Sequence, residues 1–129
     1  MNVHLAPSTL TPPLKWHGGK QYLARRIVGP MPPHTHYVEP FFGGGAVLLA
    51  KDPDGVSEVA NDLNGELMNF WRVLQNLATF ERFRRIAEAV PFSEAEWNEA
   101  RDALQRGTEV DPVRRAVWFF IFCRQSLAG

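Results

Sequence analysis

Apolar residues fall at helical spacing through most of the second half of the chain. From Asn64 to about Leu77, residues Leu67, Phe70, Trp71, Leu74 and Leu77 recur three and four apart, which predicts an amphipathic helix. A further helical stretch covers about 79–89 and ends before Pro91. Ser93-Glu94-Ala95-Glu96 has the Ser-x-x-Glu pattern of a capping box and opens a helix to about Gln105, with Gly107 as its stop. Asp111-Pro112 starts a last helix to about Arg124, because Asp caps well and proline suits the first helical position.

The first half is built of shorter pieces. Pro7, Pro12 and Pro13 with neighbouring Ser and Thr predict a disordered or extended arm over 1–13. KWHGGK at 15–20 is a turn into a helix over about 20–28, stopped by Gly29-Pro30. YVEP at 37–40 and SEVAND at 57–62 read as short strands. Between them, AVLLAK at 46–51 is a short helix so apolar that burial is expected. The order is helix, strand, glycine turn, helix, strand and then a helical block. That order opens a doubly wound α/β domain whose second half does not return to the sheet. Two strands make a poor sheet, and parallel sheets need cover on both faces, so the architecture is unfinished.

Length, composition and charge narrow the class. At 129 residues the chain has room for one modest domain but not two; 45% apolar residues and no net charge point to a soluble globular protein. The single Cys123 cannot form an internal disulfide and no cysteine cluster suggests zinc or another metal, which fits a reducing cytoplasm. No basic leader opens the chain, and the aromatic-rich run at 116–123 is too short to span a membrane, so a cytoplasmic location is expected. Residues 1–38 carry four bases and no acid, 39–112 seven bases and fourteen acids, and 113–129 three bases and no acid. Basic ends around an acidic middle suit a bound polyanion, but solvated arginines on helix faces give the same counts.

The glycine turn carries the chemistry. In an open α/β sheet the first strand-to-helix turn lies where ligands bind, and glycine there lets a ligand approach the main chain. The dinucleotide pattern G-x-G-x-x-G fails, because the sixth position after Gly43 and Gly45 is Leu48. The P-loop pattern fails as well, for want of its spacer and its Gly-Lys-Ser/Thr ending. What remains is Glu39, Pro40, Phe41, Gly43 and Gly45, with Asp62 following 17 residues after Gly45. That span is close to the one at which an acid meets ribose hydroxyls in a βαβ unit. Asp62 as a helix cap is the plainer alternative. A ligand with a ribose but no phosphate satisfies the whole set. S-adenosylmethionine is the obvious one, since its sulfonium tolerates a carboxylate such as Glu39.

LKWHGGK at 14–20, VEPFFGGGAV at 38–47 and ANDLNGEL at 60–67, in this order and spacing, resemble the adenine-specific DNA methyltransferases, the group that includes the GATC-modifying adenine methylases. DPVRRAVWFFIFCRQSLAG at 111–129 is similar to the helical region that follows in that family. The resemblance implies the opening part of a Rossmann-like class I S-adenosylmethionine-dependent methyltransferase domain over 14–78. The start of an inserted helical DNA-recognition region would follow over 79–129. It implies that Trp16, Lys20 and Asp62 contact the cofactor, with the Glu39–Gly45 turn beneath its methionine end and Lys20 pairing with its carboxylate. Lys15 is a candidate DNA-phosphate contact. The family's chemistry also requires Asp or Asn, then Pro-Pro, then an aromatic residue, to activate the exocyclic amine of a flipped adenine. That tetrapeptide is absent from the sequence, so no catalytic residue is assigned. The expectation is an amino-terminal portion, inactive alone, whose partners are DNA and a missing carboxyl-terminal portion. A non-catalytic nucleotide- or DNA-binding module, and a methyltransferase acting on RNA or protein amines, stay open as alternatives.

Overall fold

The computed structural model describes residues 10–126. Pro7 and most of the expected arm lie outside the described residues; Leu10 to Pro13, its last part, have no regular secondary structure. Chain length alone allows one domain, yet packing divides the chain into two compact units, one ending at Asp62 and one beginning at Leu63. The reason lies in the helices, whose apolar faces are satisfied by one another.

The first unit holds α1 (Ala24–Val28), β1 (His36–Glu39), α2 (Ala46–Ala50) and β2 (Ser57–Ala60). The strands pair in parallel with Tyr37 opposite Glu58 and Val38 opposite Val59. Pairing continues past the strand ends: Asn61 N–H donates to the Glu39 carbonyl at 2.9 Å and Phe42 N–H to the Asn61 carbonyl at 3.0 Å. These bonds hold the glycine turn against the end of β2. Side chains alternate across a strand. Tyr37 belongs to the face covered by α1 and α2, where Ala24, Ala46 and Val47 form the core and Ile27, Val28 and Met31 pack on it. Glu39, two residues on, shares that face and is buried, whereas Val38 and Val59 are 62% and 52% exposed.

Two expectations change here. Helix α1 starts at Ala24 rather than near Lys20, because Gly18 is left-handed (φ 72°) and the following residues form turns, with Leu23 N–H bonded to the Lys20 carbonyl. In α2 only Ala46 and Val47 are buried, while Leu48, Leu49 and Ala50 are half-buried. The sheet and α1 cover just one side of α2.

The second unit is four helices: α3 (Gly65–Gln75), α4 (Leu77–Ala89), α5 (Glu94–Arg106) and α6 (Pro112–Gln125). Each is capped by the side chain before it. Asn64 accepts from Leu67 N–H, Asn76 from Ala78 and Thr79, Ser93 from Glu96 and Asp111 from Val113. Asn76 ends α3 two residues before the expected limit, and Leu77 becomes the exposed first residue of α4. Helix α6 packs on the other three, so α3, expected with the first segment, lies in the helical unit. Phe70 is its hub: fully buried, stacked at 6.3 Å on Phe120 and edge-on to Phe83 at 5.6 Å. At the rim, Arg115 clasps Glu66 with contacts of 2.6 and 3.2 Å. Burial pushes the Cys123 thiol up to about 11, which keeps it protonated and unreactive at neutral pH. Among the described residues no helix is long and apolar enough to cross a membrane.

Candidate functional site

The pairing that extends β1 and β2 leaves the glycine turn at the carboxyl end of both strands. There it closes a cavity of about 280 Å³ with the segment 16–20. Six of the eight residues singled out from sequence for the cofactor line it: Trp16, Lys20, Glu39, Phe41, Gly43 and Asp62. Pro40 and Gly45 do not. Pro40 is exposed, its carbonyl accepting from the Asn61 side chain at 3.4 Å, and Gly45 is the left-handed N-cap of α2 (φ 76°). Lys15 is exposed and outside the cavity. Gly18, Gly19 and Gly44 line the wall too. The Gly-Gly pair of KWHGGK was their signal, read as a turn rather than as part of a site. A larger cavity, about 700 Å³, lies in the helical unit near Trp97 and Arg101, and no residue singled out from sequence reaches it.

Asp62 is not a helix cap. Asn64 caps α3, whereas the Asp62 carboxylate turns back and accepts Gly43 N–H at 3.0 Å. This bond ties the tip of the turn to the end of β2, with a carboxylate on the cavity wall.

The glycines also make room for a neighbour within the chain. A Cβ on Gly43 would lie 3.0 Å from Cδ1 and 3.1 Å from Nε1 of Trp16, and one on Gly44 would lie 3.2 Å from Trp16 Cβ. The space a side chain would fill is taken by the indole. The turn and Trp16 therefore form one wall, in which bare backbone lets a flat apolar ring lie close.

Glu39 is the buried charge of the site, 6% exposed. Its Oε2 accepts the Tyr37 hydroxyl at 3.1 Å, and its Oε1 lies 3.9 Å from Lys20 Nζ. Burial raises the Glu39 carboxyl above its ordinary range, although the Tyr37 hydrogen bond, the Lys20 charge and the Leu48 backbone N–H all favour ionisation. Tyr37 in turn is pushed up to about 12, by burial first and then by the Glu39 charge.

A raised pKa in the fold means the native state holds the proton more tightly than the unfolded chain. The stability that comes with it is full below the unfolded value and is lost as pH rises through the folded one. Glu39→Gln is thus expected to raise the melting temperature of the first unit by a few degrees at pH 7.5 and to leave it unchanged near pH 4. Melts followed at the β1 and β2 amide signals check this, and an equal shift at both pH values would count against it.

Among the described residues no group of three or more His, Cys, Asp or Glu is placed to hold a metal ion. The site offers a carboxylate at the end of each strand, a cation between cavity and solvent, and an indole backed by glycine. This inventory suits a ligand with hydroxyl groups, a positive centre and a flat ring.

Residues 16–129 match the family described as D12 class N6 adenine-specific DNA methyltransferase. The chain is 41% identical over 68 residues to the type II methyltransferase M1.LlaDCHI of Lactococcus lactis subsp. cremoris, covering 52% of this chain and 23% of that protein. Against the DNA adenine methylase of Serratia marcescens it is 31% identical over 118 residues, 90% of this chain and 42% of that protein. Against the retron Ec67 DNA adenine methylase of Escherichia coli it is 26% identical over 117 residues, 90% of this chain and 40% of that protein. The chain spans less than half the length of each of these relatives.

Proposed function

The chain belongs to the D12 class N6 adenine-specific DNA methyltransferase family, and on that premise we propose that its first unit holds the methyl donor of an enzyme that methylates the exocyclic amine of adenine in DNA. The observation that carries this reading is the convergence of Trp16, Lys20, Glu39 and Asp62 on one glycine-walled cavity.

S-adenosylmethionine fits these residues. The Asp62 carboxylate, held by Gly43 N–H, suits a ribose diol, Trp16 offers a flat face to the adenine ring, and Lys20 suits the donor's carboxylate. Glu39 favours a positive centre. When bound, this cofactor supplies an electrophilic methyl group on a sulfonium. The residues of this chain bind and orient it. A volume of about 280 Å³ lies just under the roughly 300–1,000 Å³ of complete small-molecule sites, as a partial site should.

In this reading β1–α2–β2 is the opening of a Rossmann-like class I methyltransferase domain, and the helical unit is the start of an inserted DNA-recognition region. Lys15, exposed beside the cavity, contacts DNA phosphate. The Asp/Asn-Pro-Pro-aromatic segment is absent from these 129 residues. The amine-activating groups therefore come from elsewhere, and this polypeptide alone does not methylate.

Calorimetric titration of the purified chain with S-adenosylmethionine is expected to show binding that Asp62→Asn weakens about tenfold, since charged hydrogen bonds are lost. Labelled methyl transfer to adenine-containing DNA is expected to be nil for the chain alone and to appear when a carboxyl-terminal portion bearing the tetrapeptide is added. Transfer by the chain alone would sink the inactivity claim. Binding without any restored transfer would favour a non-catalytic module, the second reading that the absent tetrapeptide supports.

A further inference from the structure

Tyr37 does not line the cavity, yet it touches the one buried carboxylate that does. It stands two residues before Glu39 on the covered face of β1, with its hydroxyl donating to Glu39 Oε2 at 3.1 Å. Its ring is clamped from behind. Lys51, 4% exposed, places Nζ 4.7 Å from the ring centroid, with Glu58 Oε1 4.0 Å beyond, and the His34 ring stands 6.0 Å away. The two oxygens of Glu39 thus meet different kinds of partner: Oε1 a half-exposed Lys20 on the cavity wall, Oε2 a hydroxyl anchored in the core.

We propose that Tyr37 is a positioning residue of the donor site, its hydroxyl fixing the Glu39 carboxylate, in ionised form, toward the positive centre of the methyl donor. The proposal rests on reading the cavity as a donor site. In that reading Lys20 turns to the donor's carboxylate, which leaves the Tyr37 hydroxyl and the Leu48 N–H to favour ionised Glu39. The other charged groups nearby are Asp62 on the cavity wall and Lys51 and Glu58 around the Tyr37 ring. Burial of Glu39 works against ionisation, so the hydroxyl has a cost to offset.

The test uses the 129-residue chain and Tyr37→Phe, which keeps the ring under Lys51 and removes only the hydroxyl. Carboxyl-carbon NMR, which needs no ligand, is expected to show Glu39 titrating at higher pH in Tyr37→Phe than in the wild type. Titration with S-adenosylmethionine and with S-adenosylhomocysteine, which lacks the sulfonium charge, gives a preference ratio. Tyr37→Phe is expected to lower that ratio about fivefold and to have no further effect in a Glu39→Gln background. An unmoved Glu39 titration overturns the proposal. So does a wild-type preference that Tyr37→Phe leaves intact, and that result spares the donor-site reading. A wild-type chain that binds neither ligand refutes the donor-site reading itself, and the donor-directed role of Tyr37 falls with it.

Discussion

Phe70→Ala is expected to unfold most of the helical unit at 25 °C. Phe70 is fully buried, and its ring meets Trp71, Phe83, Phe119 and Phe120 at centroid distances from 5.6 to 6.3 Å. It thereby joins α3 to both α4 and α6. Truncating a buried phenylalanine costs about 3–5 kcal/mol through lost transfer energy and a residual cavity. Domains hold roughly 0.05–0.15 kcal/mol per residue, so this single change is comparable to the whole stability of a unit this small. Far-UV circular dichroism should show a large loss of helix and urea titration a transition shifted toward zero denaturant. Phe70→Leu, which keeps most of the volume, should retain the helices. A loss below about 1 kcal/mol for Phe70→Ala would show that the aromatic cluster is not what holds α3 to α6.

Gly43→Val carries the second large effect. Gly43 has φ 53°, a conformation that costs a side-chain-bearing residue about 1–2 kcal/mol. The added Cβ would also lie 3.0 Å from the Trp16 ring, so the indole must leave its wall. Shifting the turn then strains the Gly43 N–H bond to Asp62. Together these should cost the first unit about 2–4 kcal/mol and abolish detectable binding of S-adenosylmethionine. Gly18→Ala separates the two causes. Its φ is 72°, but nothing lies within 4 Å of the added Cβ, so it should show the backbone cost of about 1 kcal/mol alone. Equal losses for the two variants would mean that contact with Trp16 contributes nothing.

Legibility in the sequence follows from how local each cause is. The cap at Ser93, the proline start at Pro112 and the left-handed stop at Gly107 each depend on a few adjacent residues, and each lies where local chemistry places it. The end of α3 was less legible. The apolar rhythm runs on through Leu77, while the Asn76 side chain, bonding to Ala78 and Thr79 N–H, breaks the helix and restarts it. In the site, Glu39, Gly43 and Asp62 come together because their spacing is nearly fixed by a strand, a turn and a helix, whereas Gly45 caps α2 outside the cavity. The part played by Trp16 was not, because an indole that fills the space above Gly43 comes from 27 residues earlier and no local rule connects them. Asp62 shows the same limit: its choice between capping a helix and holding a turn is made by a backbone amide 19 positions away. Tyr37 was within reach, since strand alternation alone puts positions 37 and 39 on one face, but a tyrosine in a strand draws no attention until its hydroxyl is seen on the carboxylate.

The bare outer face of the sheet bears on the life of the chain in a cell. Among the described residues the sheet has two strands, so neither is interior, β1 and β2 each present an edge, and Val38 and Val59 stand together on the open side. Such a surface is sticky to its own kind. One rate then matters after synthesis: the encounter of that face with another copy. That rate scales with the square of the chain's own concentration. A higher expression level is thus expected to increase the share of this chain found in self-associated form, which light scattering at graded concentrations checks.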